Sequence, residues 1–375
     1  MKVQVILASL EPGRAARQAT LLARYLPETV DLRVCVLGGS GFGEEELRER
    51  ASRGNKPDDT SGCLVLNWKR LFDFRPLWTL RQALRDERPD LVHVWGPACL
   101  RWSRLLGERK TPPRFVVSCP LLGRSSLAQV GPLERRLLRS ADAVIAGGPA
   151  EAARCRKLGV PLDALATIPP GVEVVQPESI SRAAFLKEQR LPAESKVVFF
   201  LGPFEPGKGC LEALWAFDII RYARNDVHLF LLGGGSEFER MRQFVRSMGS
   251  MSHVHFLGPR SDVARLLPAA DVVWVPSREP AGLNAALEAM SASRAVLATR
   301  LPDLAELIID GSTGVLIAPG DKVAWARQTC ALLVDDHRRS LLGEAAQQRV
   351  RSHFAADDVA RRVAELYELL LRRSG

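Results

Sequence analysis

The feature that most constrains this chain is a series of short, apolar, β-rich runs separated by helix-length amphipathic segments, occurring twice. The first series reads KVQVILA at 2–8, LRVCVLG at 32–38, CLVLN at 63–67, DLVHVWG at 90–96, RFVVSC at 114–119 and DAVIAGG at 142–148. The second reads KVVFFLG at 196–202, DVHLFLLGGG at 226–235, HVHFLG at 253–258, DVVWVPS at 271–277, AVLATR at 295–300 and GVLIAPGD at 314–321. Helical patterns such as ARQATLLARYL from Ala16 and PLWTLRQALRDE fill the gaps. Near-continuous apolar strands alternating with helices predict mainly parallel sheets covered on both faces. Between the two series lies TIPPGVEVVQPES at 167–179, rich in Pro and Gly, which reads as a domain joint. The expected organisation is therefore an α/β chain of two doubly wound, Rossmann-like domains, 1–172 and 173–355. Residues 356–375 follow as an amphipathic helix expected to pack back toward the first domain. In such sheets ligands bind outside the carboxyl ends of the strands, so a site facing a central cleft is expected.

Charge and cysteine narrow the function classes. Residues 1–180 hold 27 Lys/Arg against 20 Asp/Glu, and the remainder 25 against 23. The basic first half suits an acidic substrate or an anionic membrane surface, although solvated helix faces in an Arg-rich chain would look the same. No RNP or helix-turn-helix signature occurs, so nucleic acid is not an expected partner. The seven cysteines (35, 63, 99, 119, 155, 210 and 330) are widely spaced with no Cys-x-x-Cys. That argues against a disulfide framework or zinc site and for a reducing, cytoplasmic compartment. The six histidines are scattered; His253 and His255 form a His-x-His that reads as core or surface rather than as metal ligands. The N-terminus reads as a buried strand rather than a signal peptide, and no apolar stretch is long enough to span a bilayer.

The most chemical-looking segment is Gly202-Pro-Phe-Glu-Pro-Gly-Lys-Gly209, placed after a strand and before the helical run CLEALWAFDII. A helix start with free N–H groups, a positive dipole end and Lys208 suits a diphosphate. It is Gly-x4-Gly-Lys with Gly209 where a P-loop carries the magnesium-holding Ser or Thr, so a P-loop NTPase is a weaker alternative. A turn with a solvated lysine is the plain structural one.

The second half, through FLGPFEPGKG, LFLLGGGSEFE, VHFLGPRSDVARLLPAADVVWVPSREPAGLNAALEAMSAS and LIIDGSTGVLIAPGD, resembles the family 4 retaining glycosyltransferases (glycosyl transferase group 1) over nearly its whole length. The first half resembles it less closely, through GRAARQ, PDLVHVWGP and SADAVIAGG. The resemblance implies a GT-B fold and transfer of a sugar, with retention, from a nucleoside-diphosphate sugar to a hydroxyl acceptor in polysaccharide or glycoconjugate assembly. It implies no cofactor and no metal, and there is no Asp-x-Asp to bind one. Lys208 then falls on the donor diphosphate, with Gly202 and Gly207 shaping its loop. Glu288 falls on the nucleotide ribose, where a carboxylate matches a vicinal diol. Glu279, taken as the catalytic-side carboxylate, falls on the sugar, together with the loop through Gly282 and Leu283. Gly258-Pro259-Arg260 falls on the segment passing the nucleobase. The first domain, at an inner membrane face or in the cytoplasm, is left for the acceptor.

Four positions depart from the family pattern. Pro203 stands where an arginine precedes the phosphate lysine by five residues. Glu279 lies nine rather than eight residues before Glu288, with Pro280 at the usual position. Cys119 and Pro120 stand near the place of a first-domain histidine, and His93 lies on the preceding strand. The N-terminal Gly-Gly loop reads Gly13-Arg14, and Arg14 is expected to replace part of the missing charge. Losing one charged donor to a diphosphate costs about 1.5–3 kcal/mol. A GT-B protein that binds a nucleotide or partner without transferring anything is therefore the second expectation.

Overall fold

The computed structural model describes residues 1–10, 14–41, 43–52, 63–67, 75–96, 99, 112–118, 130–174, 180–260, 262–279 and 282–373. The chain divides into two compact units, Met1–Gly171 with Ala356–Gly375, and Val172–Ala355. The first boundary falls within the Pro/Gly-rich stretch 167–179.

The first unit runs β1 (Lys2–Leu7), α1 (Arg14–Tyr25), β2 (Asp31–Val36), α2 (Glu44–Ser52), β3 (Cys63–Val65), α3 (Arg75–Glu87), β4 (Leu91–Trp95), β5 (Arg114–Ser118), α4 (Pro132–Arg139), β6 (Ala143–Ala146), α5 (Pro149–Lys157) and β7 (Leu165–Thr167). Its seven described strands are parallel in the order β3-β2-β1-β4-β5-β6-β7. The chain's last helix, Ala356–Arg372, completes this unit. Its apolar face, Val359, Ala360, Val363 and Tyr367, joins the core formed by Val3, Val5, Leu22 and Val34. A buried polar relay also ties it to the sheet. His93 Nδ1 lies 2.6 Å from the Tyr367 hydroxyl and Nε2 lies 2.6 Å from Ser118 Oγ. Burial pushes the His93 pKa down to about 3, so the ring is a neutral hydrogen-bonding hub.

The second unit runs α6 (Arg182–Glu188), β8 (Lys196–Leu201), α7 (Cys210–Ala223), β9 (Val227–Leu232), α8 (Phe238–Ser247), β10 (Val254–Gly258), α9 (Val263–Leu266), β11 (Val272–Val275), α10 (Leu283–Ser291), β12 (Ala295–Thr299), α11 (Pro302–Leu307), β13 (Val315–Ile317), α12 (Lys322–Val334) and α13 (Asp336–His353). Its six described strands are parallel, ordered β10-β9-β8-β11-β12-β13. Period-two alternation sends successive side chains to opposite faces. Val197, Phe199 and Leu201 of β8 enter one core, while Val198 and Phe200 enter the other. Both faces are covered, which explains why the strands read as continuous apolar runs.

Asp271 braces this sheet just before β11. Its Oδ2 accepts from the backbone N–H of Val197 at 2.7 Å and from Arg182 at 2.8 Å, while Arg339 lies 3.4 Å from Oδ1. The His-x-His runs into the start of β10, against β9. His228 Nδ1 lies 3.1 Å from His255 Nε2, and the His253 ring stacks on that of His228. Among the described residues no group of three or more His, Cys, Asp or Glu is arranged to hold a metal ion, and no helix is long and apolar enough to cross a membrane. The six described cysteines are free thiols; Cys119 lies outside the described residues.

Candidate active site

In the second unit the chain leaves β8 toward β9 and β10, then returns to β11 on the other side of β8. The helices following β8 and β11 therefore pack on opposite faces, and this is the switch point at which doubly wound sheets open a crevice.

The loop after β8 is shaped from inside. The fully buried Phe204 ring anchors it, its backbone N–H donates to Gly234 O at 2.8 Å, and its carbonyl accepts from Glu237 at 2.7 Å. Pro203 is exposed beside it. The loop turns back through a Lys208 N–H to Glu205 carbonyl bond of 3.1 Å and enters α7 at Gly209. Gly209 has φ +73°, and a Cβ there would lie 1.8 Å from the Pro276 carbonyl oxygen. A Ser or Thr is thus excluded at the position where a P-loop needs one, which removes the structural basis for the NTPase reading.

The loop after β11 meets the loop after β8 directly. Arg278 N–H donates to Gly207 O at 2.8 Å, and the Arg278 guanidinium bonds Glu212 Oε1 at 2.9 Å. A Cβ on Gly207 would lie 2.8 Å from Glu279 Cδ, so the Glu279 carboxyl packs across the residue preceding Lys208. The loop ends at Gly282, again left-handed (φ +86°), which starts α10. Neither Gly209 nor Gly282 offers a side-chain cap, so neither helix has its opening N–H groups met from the capping position. Two positive dipole ends and the half-buried Lys208 thus belong to the two loops that meet at this switch point.

Glu288 sits on α10 and is only 8% exposed, so it is not a solvated helix glutamate. Leu283, the first residue of α10, turns its side chain into the core, which leaves its backbone as the part available to a ligand. Gly202 follows β8 directly and bonds Leu232 O through its N–H at 3.2 Å. Arg260 is engaged in a two-bond pair with Asp262 at 2.7 and 2.6 Å, and this pair holds the Asp262 carboxyl below its usual range. Its guanidinium is therefore already committed, leaving the backbone of Gly258-Pro259 as the more open surface there.

Gly13 and the Arg14 side chain, Cys119, Pro120, Pro280 and Ala281 lie outside the described residues. Sequence reasoning passed over Arg278, Glu212 and Phe204. Arg278 adjoins Glu279 in sequence, but its partner Glu212 is far away along the chain.

The family described as "Glycosyltransferase Family 4" matches residues 15–176, and "Glycosyl transferases group 1" matches 195–335. The chain belongs to the group 1 / family 4 glycosyltransferases. It is 31% identical to the D-inositol 3-phosphate glycosyltransferase of Xylanimonas cellulosilytica over 257 residues, 64% of this chain and 60% of that protein. It is 26% identical to the lipopolysaccharide core biosynthesis glycosyltransferase LpsE of Rhizobium meliloti, covering 75% and 76%. The chain spans about three fifths or less of the length of the curated inositol-phosphate relatives it matches. Among solved structures it resembles Anabaena HepE in complex with UDP and glucose, with a TM-score of 0.82 at 19% identity over 98% of this chain and 99% of that one. It also resembles WaaG, a glycosyltransferase involved in lipopolysaccharide biosynthesis, with a TM-score of 0.74 at 17% identity over 98% and 99%. At these identities the likeness establishes the GT-B fold for this glycosyltransferase-family chain.

Proposed function

We propose that the chain transfers a sugar, with retention of anomeric configuration, from a nucleoside-diphosphate sugar to a hydroxyl-bearing acceptor. The observation that carries this reading is the pair of glycine-started, side-chain-uncapped helices, α7 and α10, whose leading loops touch beside Lys208 at the switch point of the second unit. Such a crevice favours an anion of the size of a diphosphate. The relatives' names, among them a lipopolysaccharide core glycosyltransferase, and the UDP and UDP-glucose held by HepE support the same substrate class and a place in polysaccharide or glycoconjugate assembly.

In this reading Lys208 and the opening N–H groups of α7 receive the charge that develops on the departing diphosphate, stabilisation aimed at the transition state rather than the ground state. Glu288 accepts hydrogen bonds from the ribose diol, and its near-complete burial removes competing water. Glu279, held against Gly207, addresses the sugar hydroxyls. Gly202, Gly207, Gly282 and the Leu283 N–H line the donor, and the Gly258–Arg260 backbone flanks the base. The more basic first unit takes the acceptor, at an anionic membrane face if that acceptor is lipid-linked. The reaction runs without a resident metal, so activity persists in EDTA.

The test is incubation with radiolabelled UDP-, GDP- and ADP-sugars plus membrane-extract or polyol acceptors, scoring sugar transfer and nucleotide release. Lys208→Ala is expected to lower kcat/KM by about ten- to a hundred-fold, the weight of one charged donor. The anomeric proton coupling of the product reports retention. Nucleotide binding with no transfer to any acceptor would instead support a non-catalytic GT-B binder.

A further inference from the structure

The geometry points to Arg278 as a second diphosphate-binding cation, held by Glu212 until the donor arrives; this rests on the reading of the second-unit crevice given above. The eight-residue loop Gly202–Gly209 contains one cation, Lys208, and Pro203 brings neither charge nor N–H to it. A nucleoside diphosphate carries more negative charge than one lysine balances. Arg278 is a further cation tied to this loop by a described hydrogen bond. Its backbone N–H is bonded to Gly207 O at 2.8 Å, so its position follows that of the residue before Lys208. Its guanidinium reaches Glu212 Oε1 at 2.9 Å. Glu212 lies in the first turn of α7, beside the helix start that the diphosphate occupies in this reading.

The ion pair is built to be exchanged. The Arg278 side chain is 59% exposed, and pairs this open are held weakly. One carboxylate oxygen is a poorer partner for a planar guanidinium than a diphosphate, which offers several charged oxygens at bidentate spacing. On donor binding Arg278 exchanges Glu212 for a phosphate oxygen, and no covalent bond changes. Glu212 remains at the positive end of α7, where an acidic side chain is stabilised without a partner. In the free protein Glu212 thus keeps an arginine beside the site and competes modestly with the ligand. Arg278 also precedes Glu279, so one short segment addresses both the phosphate and the sugar side of the donor.

The experiment is calorimetric titration of the full chain with UDP, UMP and inorganic pyrophosphate, with ADP and GDP as base controls. The variants are Arg278→Ala, Arg278→Lys, Glu212→Gln and Lys208→Ala. Arg278→Ala is expected to weaken UDP and pyrophosphate about ten-fold and UMP much less, with Arg278→Lys intermediate. Glu212→Gln is expected to tighten both diphosphates several-fold, a gain that a merely structural pair would not produce. Equal weakening of UMP and UDP by Arg278→Ala, or no tightening in Glu212→Gln, overturns the role of Arg278 while leaving the site intact. A Lys208→Ala variant that binds UDP normally, or an unmodified chain that binds neither pyrophosphate nor any of the nucleotides, overturns the site itself.

Discussion

Replacing Gly209 by serine is the perturbation whose consequence the structure specifies most closely, because it would complete the P-loop pattern in sequence. Two costs add. Gly209 sits at φ +73°, where a residue with a Cβ pays about 1–2 kcal/mol. The new Cβ would start 1.8 Å from the Pro276 carbonyl oxygen, and real Cβ contacts essentially never fall under 3.0 Å. Either the end of β11 or the start of α7 must therefore move by more than about 1 Å, an overpacking cost of about 1–3 kcal/mol. Together these give about 2–5 kcal/mol, a large share of the 5–15 kcal/mol that typically holds a domain. Thermal unfolding should fall by about 4–20 °C for a unit of this size. Nucleotide affinity should drop as well, because the shift separates the loop from Arg278 and Glu279. The assay is thermal and urea unfolding of Gly209→Ser beside the unmodified chain, with magnesium-dependent ATP hydrolysis measured on both. An unchanged unfolding midpoint, or a gain of ATP hydrolysis, would refute the reasoning about this loop.

Three further outcomes follow from the packing. Asp271→Asn should destabilise the second unit by about 2–4 kcal/mol in urea unfolding, since it strips the charge that Arg182 and Arg339 share around a nearly buried group. Tyr367→Phe should cost about 1–3 kcal/mol by leaving His93 Nδ1 unsatisfied in the core, read as a lower melting temperature of the first unit. Burial holds His255 down to about 4 and lowers His228, while the unfolded chain binds their protons near the usual 6.5. The unfolded state therefore binds more protons as pH falls below about 6.5, and stability should decline from there toward pH 4. His255→Asn should flatten that decline in urea midpoints taken from pH 7.5 to 4.5, and an identical slope in both proteins would discount the histidine pair.

The fold was largely legible because its signal is local. KVVFFL and VHLFLL are buried on both faces, so each reads as a strand without reference to its partners, and the proline- and glycine-rich stretch contains the first unit boundary. The loop at 202–209 was also visible, since its glycines and lysine are contiguous. What the sequence did not display was how that loop is held. Phe204 reads as one more apolar residue, yet its ring and both its backbone groups set the shape of the loop. Gly209 looked like a missing hydroxyl, and only the approach of Pro276, far along the chain, explains why no side chain fits. Arg260 lies on the segment read as passing the base, and its guanidinium is paired with Asp262 two residues on. In each case the deciding partner came from another loop, or from a side-chain direction that spacing alone does not fix.

In the proposed reaction the switch-point crevice of the second unit binds the diphosphate of a nucleotide sugar through Lys208. The most direct test of this binding is the dissociation constant of UDP-glucose, with GDP- and ADP-glucose alongside, for the unmodified chain and for Lys208→Ala, each checked for an intact fold by circular dichroism. Saturable binding of at least one donor, weakened about ten- to a hundred-fold by the substitution, is the predicted result. A folded Lys208→Ala protein that binds the same donor with unchanged affinity would contradict it.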